Sequence, residues 1–73
     1  MTTFEKVQFF ADKENGFGIS PKVLARYSGY KSSTSISHYL AQDRPTSERQ
    51  ENSFETGLRK LVQDMVDFIN NEG

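Results

Sequence analysis

Apolar side chains recur along this chain at three- and four-residue intervals and almost never alternate, so helices are expected and strands are not. Phe4, Val7, Phe10 and Ala11 share one helical face. They follow Thr2-Thr3-Phe4-Glu5, whose ends have the spacing of a capping box, with the Thr2 hydroxyl on the Glu5 amide and the Glu5 carboxylate reaching back. Gly16 and Gly18 are expected to close this first helix, which spans about residues 3–14. Ser20-Pro21 opens a second, because serine caps and proline at the first helical position surrenders an amide that had no partner. Val23, Leu24 and Tyr27 form its stripe, and Gly29 stops it, giving about residues 21–28.

Ser32 or Ser33 then caps a third helix over about residues 33–42, with Ile36, Tyr39 and Leu40 inward, before Asp43-Arg44-Pro45 breaks it. Ser47 through Gln50 repeats the capping-box spacing. From there Phe54, Leu58, Leu61, Val62, Met65, Phe68 and Ile69 follow a helical stripe over residues 48–70. Gly57 interrupts that stripe at a cost of about 1 kcal/mol against alanine. It marks either a break between two helices or a close approach by a neighbour. The expected architecture is therefore all-α, a single domain over residues 1–73 with four or five helices and a long amphipathic C-terminal one.

Composition narrows the chemistry. Seventy-three residues with no cysteine and one histidine, His38, leave no disulfide framework, thiolate zinc site, thiol nucleophile or histidine-rich metal site. A core this small leaves little room for a pocket, and the carboxylates are spaced as helix surface charge, Glu51, Glu55, Asp64 and Asp67 among them. Neither an enzyme, a cofactor nor a small-molecule substrate is expected. No apolar run approaches the ~20 residues of a membrane span, and no signal-like segment is read at the start. A soluble cytoplasmic protein is the expectation.

Net charge is −1, which is unusual for a nucleic-acid binder, but its distribution is uneven. Residues 1–19 carry Lys6 and Lys13 against Glu5, Asp12 and Glu14, a balance of −1. Residues 20–49 carry Lys22, Arg26, Lys31, Arg44 and Arg49 against Asp43 and Glu48, a balance of +3. Residues 50–73 carry Arg59 and Lys60 against Glu51, Glu55, Asp64, Asp67 and Glu72, a balance of −3. The middle third is the positive one, and phosphate attraction is local, decaying over about 10 Å in physiological salt.

Two short helices joined by a glycine-containing turn, the second rich in small polar residues, form the arrangement that reads the major groove of DNA. The segment 20–42 has it. Ser33, Thr34, Ser37 and His38 are expected to face bases. Lys22, Lys31, Ser32, Arg44 and Arg49 are expected to hold phosphates. Any of these serines and charges also fits an ordinary solvated surface. Phe9, Phe17, Tyr27 and Tyr30 are read as packing residues and not as base-stacking platforms, since no sheet is expected to carry them.

Leu24-Ala25, Gly29, Ile36 and Tyr39-Leu40, followed by Asp43-Arg44-Pro45-Thr46, resemble the Cro/C1 (lambda-repressor-like) helix-turn-helix family over about residues 20–47. Counted from Ala25, Gly29 has the family spacing, while Ile36 and Tyr39 each fall one residue late, as an extra residue between Tyr30 and Ser33 produces. The resemblance implies a small bacteriophage regulator acting in the bacterial host cell. Cro-type repressors and short modulators of repression are both similar in length and layout. Two functions follow: a sequence-specific transcriptional regulator bound to double-stranded operator DNA, or an interaction module of the same fold that modulates a phage repressor. An accessory in recombination directionality or DNA packaging shares the fold. Phe54, Leu58 and Leu61 are expected to close the core. Val62, Met65, Phe68 and Ile69 either extend it or form an interface in a homodimer or in a heteromer with a phage repressor.

Overall fold

The computed structural model describes residues 1–42 and 46–71, and these contain four α-helices and no strand. They are α1 (Thr3–Ala11), α2 (Pro21–Tyr27), α3 (Thr34–Ala41) and α4 (Glu48–Asn71). The break expected at Arg44, and Arg44 itself, lie outside the described residues.

The capping box forms as expected at the start of α1. The Thr2 hydroxyl accepts from the Glu5 amide at 3.1 Å, and the Thr2 amide donates to Glu5 Oε1 at 2.8 Å. The end of α1 comes three residues earlier than 14. Asp12 turns extended, and its carboxylate accepts from the amides of Glu14 (2.9 Å) and Asn15 (3.1 Å). Those amides, Asn15 foremost, hold the Asp12 carboxyl below its usual range. A side chain that satisfies amides so locally competes with continuation of the helix. The following loop folds back on α1, with the amides of Phe17 and Ile19 donating to the carbonyls of Phe9 and Phe10. Phe17 packs edge-on against both Phe9 and Phe10, with ring centroids 5.0 Å apart in each pair.

Ser20 caps α2 through the Lys22 amide, with Pro21 in the first turn. At its other end the Gly29 amide donates to the Arg26 carbonyl (3.1 Å) and the Tyr30 amide to the Ala25 carbonyl (2.9 Å). With Gly29 at φ +88°, this is a Schellman closure. Of the two serines expected to cap α3, Ser33 stands at the N-cap, and the Ser32 hydroxyl just before it accepts from the Thr34 amide at 3.2 Å and donates to Thr34 Oγ1 at 2.9 Å. The Ser33 side chain makes no capping bond.

Val7, Leu24, Ala25, Ile36, Tyr39, Phe54, Leu58 and Leu61 form the core, one cluster drawn from all four helices. Burial of each large side chain contributes about 1.5–3 kcal/mol, which makes this cluster the main source of stability. Gly57 does not break α4. It lies buried against the end of α2, where a Cβ would come within 2.9 Å of the Ser28 Cα and amide nitrogen. Of the two readings of Gly57, close approach is the one observed.

Two carboxylates expected as surface charge on α4 are in fact half-buried fastenings. Glu55 accepts from the Thr3 hydroxyl and from Lys6 Nζ, both at 2.9 Å, tying α1 to α4. Glu51 accepts from the Tyr39 hydroxyl at 3.3 Å, tying α3 to α4. Spacing alone missed them because their partners lie on other helices.

The last buried residue of α4 is Leu61, and one bond from α2 reaches past it, the Tyr27 hydroxyl donating to Asp64 at 2.6 Å. From Val62 to Asn71 the helix continues with every residue exposed, and the molecule measures 44 × 26 × 24 Å along its principal axes. No helix of the described residues is long and apolar enough to cross a membrane.

Candidate nucleic-acid interface

Helix α3 is held from below. Ile36 and Tyr39 are buried, and Tyr39 lies against Phe54 (centroids 4.5 Å apart) and Phe4 (5.5 Å). At 100° per residue this anchoring turns Thr34, Ser37 and Ala41 outward, and these three are exposed. His38 stands half-buried on the same side, and Ser33 half-buried at the edge nearest the core. Of the four residues expected to face bases, Thr34 and Ser37 thus occupy the outer stripe fully. Ser35 is not part of it: its hydroxyl donates to the Ser32 carbonyl at 3.0 Å.

Tyr39 fixes the rotation of α3 because both ends of its side chain are committed, the ring to the aromatic cluster and the hydroxyl to Glu51. Burial, and then the Glu51 carboxylate, push its phenol up to about 12. It therefore stays a neutral donor at any physiological pH.

The expected phosphate ligands are dispersed. Lys22 is exposed in the first turn of α2, and Lys31 is exposed in the connection before α3. Ser32 is exposed, but its hydroxyl is engaged with Thr34. Arg49 is exposed in the first turn of α4, where it lines an open groove of about 580 Å³ with Ser28, Gly29 and Lys60. Sequence reasoning missed Lys60. Arg49, Asn52, Ser53, Thr56 and Lys60 repeat at helical spacing and line this groove as one polar stripe. That signal is readable in the sequence but is masked by the apolar stripe beside it. Among the described residues no cluster of histidine and carboxylate side chains has the arrangement of a metal site.

The four residues expected to form a protein interface lie together on the unpacked part of α4. Val62, Met65, Phe68 and Ile69 are all exposed, and Val66 joins them. Sequence reasoning missed Val66 because it sits at the margin of the stripe that serves the core.

Comparison of the chain with protein-family models, with curated proteins and with solved structures found no match.

Proposed function

We propose that this chain is a sequence-specific regulator that binds double-stranded DNA through a lambda-repressor-like helix-turn-helix, with α2 as the bracing helix and α3 as the reading helix. The observation that carries this reading is the two-sidedness of α3. Ile36 and Tyr39 lock one side into the core, and the opposite side offers the short hydroxyls of Thr34 and Ser37 beside His38. Short donors and acceptors on a rigidly held helix are what base edges in the major groove require. Lys22, Lys31, Arg44 and Arg49 supply phosphate attraction in the positive third of the chain. The likeness of residues 20–47 to the Cro/C1 family favours a role in a phage lysis-lysogeny switch.

The test is duplex binding measured by fluorescence anisotropy on sequences selected from a random pool. Affinity is expected to fall with salt at a slope of about −0.9 per phosphate contact, for a few contacts. No selectable duplex and no binding at low salt would overturn the reading.

One observation favours a second reading, a module of the same fold that binds another regulator: the exposed apolar face of α4 beyond Leu61 on a chain of net charge −1. Capture of a purified phage repressor by this chain without DNA, together with no duplex binding, would select it.

A further inference from the structure

Asp12 gathers the amides of the loop that follows α1. Its carboxylate accepts from Glu14 and Asn15, at 2.9 and 3.1 Å, and its carbonyl accepts from Gly16 and Gly18, at 3.1 and 3.0 Å. Inside this knot stands Asn15-Gly16, with Asn15 exposed. No other asparagine of the chain precedes glycine: Asn52, Asn70 and Asn71 are followed by serine, asparagine and glutamate.

Asparagine is thermolabile, and a following glycine makes it most so, because no Cβ crowds the attacking nitrogen. The amide nitrogen of the glycine bonds to the side-chain carbonyl carbon of the asparagine. A succinimide ring closes, and ammonia leaves with the proton that the nitrogen gave up. Water then opens the ring at either carbonyl. One product is aspartate, with the main chain unchanged. The other is isoaspartate, with the main chain routed through the side chain and longer by one carbon.

The fold holds this reaction back at its first step. The nucleophile is the Gly16 nitrogen, whose hydrogen is committed to the Asp12 carbonyl, and the Asn15 amide is committed to the Asp12 carboxylate. Attack requires the peptide plane between residues 15 and 16 to turn and its nitrogen to lose the proton. Both are opposed while that plane is tied, so conversion proceeds only when the loop opens.

The same loop is ill suited to the longer product. Gly16 lies so close to α1 that a Cβ would stand 1.7 Å from the Phe9 carbonyl oxygen. The amides of Phe17 and Ile19 then donate to the carbonyls of Phe9 and Phe10. An extra main-chain carbon at residue 15 displaces these bonds. It displaces with them the Phe17 ring, seated on Phe9 and Phe10, and Ile19, which packs against the core.

We propose that Asn15 is a site of spontaneous modification, converted through Gly16 to aspartate and isoaspartate at a rate set by the hold of Asp12 on the loop. The isoaspartyl product weakens the contact between loop and α1 that restrained its formation, so conversion limits the working life of each molecule. None of this depends on what α3 binds.

The test is incubation at mildly alkaline pH, with conversion at each asparagine followed by peptide mass spectrometry. Asn15 is expected to convert at least about tenfold more slowly in the folded chain than in guanidinium, because opening is rare. Asp12→Ala frees the Glu14 and Asn15 amides and should speed the folded chain at least about threefold. Asp12→Asn keeps a side-chain acceptor and should restore most of the protection. Asn15→Asp carries the new charge without the extra carbon and should melt within about 2 °C of the natural chain, whereas the isolated isoaspartyl form should melt at least about 4 °C lower. Equal rates in the folded and unfolded chain, an Asp12→Ala rate equal to the natural one, or Asp12→Asn as fast as Asp12→Ala would overturn the proposal. So would faster conversion at Asn52, Asn70 or Asn71, or an isoaspartyl form that melts with Asn15→Asp.

Discussion

Ser28 and Gly57 are in contact across the α2–α4 junction, so close that a Cβ on Gly57 would stand 2.5 Å from the Ser28 hydroxyl oxygen and 2.9 Å from its Cα and amide nitrogen. The helix-breaking tendency of glycine is accepted at this point in α4 because only a bare α-carbon admits the end of α2. Gly57→Ala gains about 1 kcal/mol of helix propensity but incurs about 1–3 kcal/mol of overpacking. Part of the clash is with main-chain atoms that cannot rotate away, so a net loss of up to about 2 kcal/mol is expected. In a domain of this size that lowers the melting temperature by about 4–8 °C per kcal/mol. Adding Ser28→Ala should recover only part of the loss, since the main-chain contacts remain.

Glu55 links stability to acid. The Lys6 ammonium, first, and the Thr3 hydroxyl hold its carboxyl below the usual range when the chain is folded. The stabilisation is therefore complete above the unfolded value of 4.5 and is lost as pH falls through the lower folded value. The pair is partly solvated, so Glu55→Gln should cost no more than about 1 kcal/mol at neutral pH. Denaturant midpoints of the two proteins should converge as pH falls through the lowered folded value of Glu55; a constant gap at every acid pH would show that the carboxylate charge is not the source.

Tyr39 links stability to base. Its phenol ionises near 10 when unfolded and at about 12 when folded. The neutral form that the fold favours is fully populated below 10, and its contribution is lost as pH rises through the folded value. Ultraviolet titration should find a tyrosine ionising at about 12, and Tyr39→Phe should remove that step. The variant also loses the bond to Glu51, at a cost of about 1 kcal/mol.

If α3 reads bases, replacements along it and around it should differ in kind. Thr34→Ala and Ser37→Ala should cost about 1–3 kcal/mol at the selected duplex and little elsewhere, relaxing preference at one or two positions. Lys31→Ala, Arg44→Ala and Arg49→Ala should weaken every duplex alike and reduce the salt slope by about one each. Anisotropy against selected and scrambled duplexes separates the two patterns. Uniform loss from Ser37→Ala would remove it from the reading surface.

The features legible in the sequence are those whose cause is local. Thr2 with Glu5, Ser20 with Pro21, and Gly29 each announce a helix end through atoms a few residues apart, and each stands where expected. The long stripe of α4 also reads directly, because its period persists from Phe54 to Ile69. Asp12 defeated this reasoning: two glycines downstream looked like the stop, yet a carboxylate inside the expected helix ended it first. The packing of Gly57 on Ser28 and the partners of Glu51 and Glu55 were illegible for a different reason. Each depends on which helices become neighbours, and periodicity fixes the inward face of a helix without naming what lies across from it. The outer stripe of α3 follows from Ile36 and Tyr39 alone, whereas the polar stripe from Arg49 to Lys60, although periodic in the sequence, is singled out only once α2 and α4 enclose a groove along it.

The Schellman closure after α2 has a stereochemical consequence. The course of the chain from α2 toward α3 is set there by two main-chain bonds and one positive dihedral, and no atom lies within 4 Å of where a Cβ on Gly29 would stand. Space is therefore no obstacle at this position; handedness is. An L-alanine would be held in a left-handed conformation at a cost of about 1–2 kcal/mol. Its mirror image, introduced by chemical synthesis, has the left-handed dihedral as its own preferred region and so escapes that cost. The junction between α2 and α3 thus depends on the absence of an L side chain at a single α-carbon more than on the identity of any side chain around it.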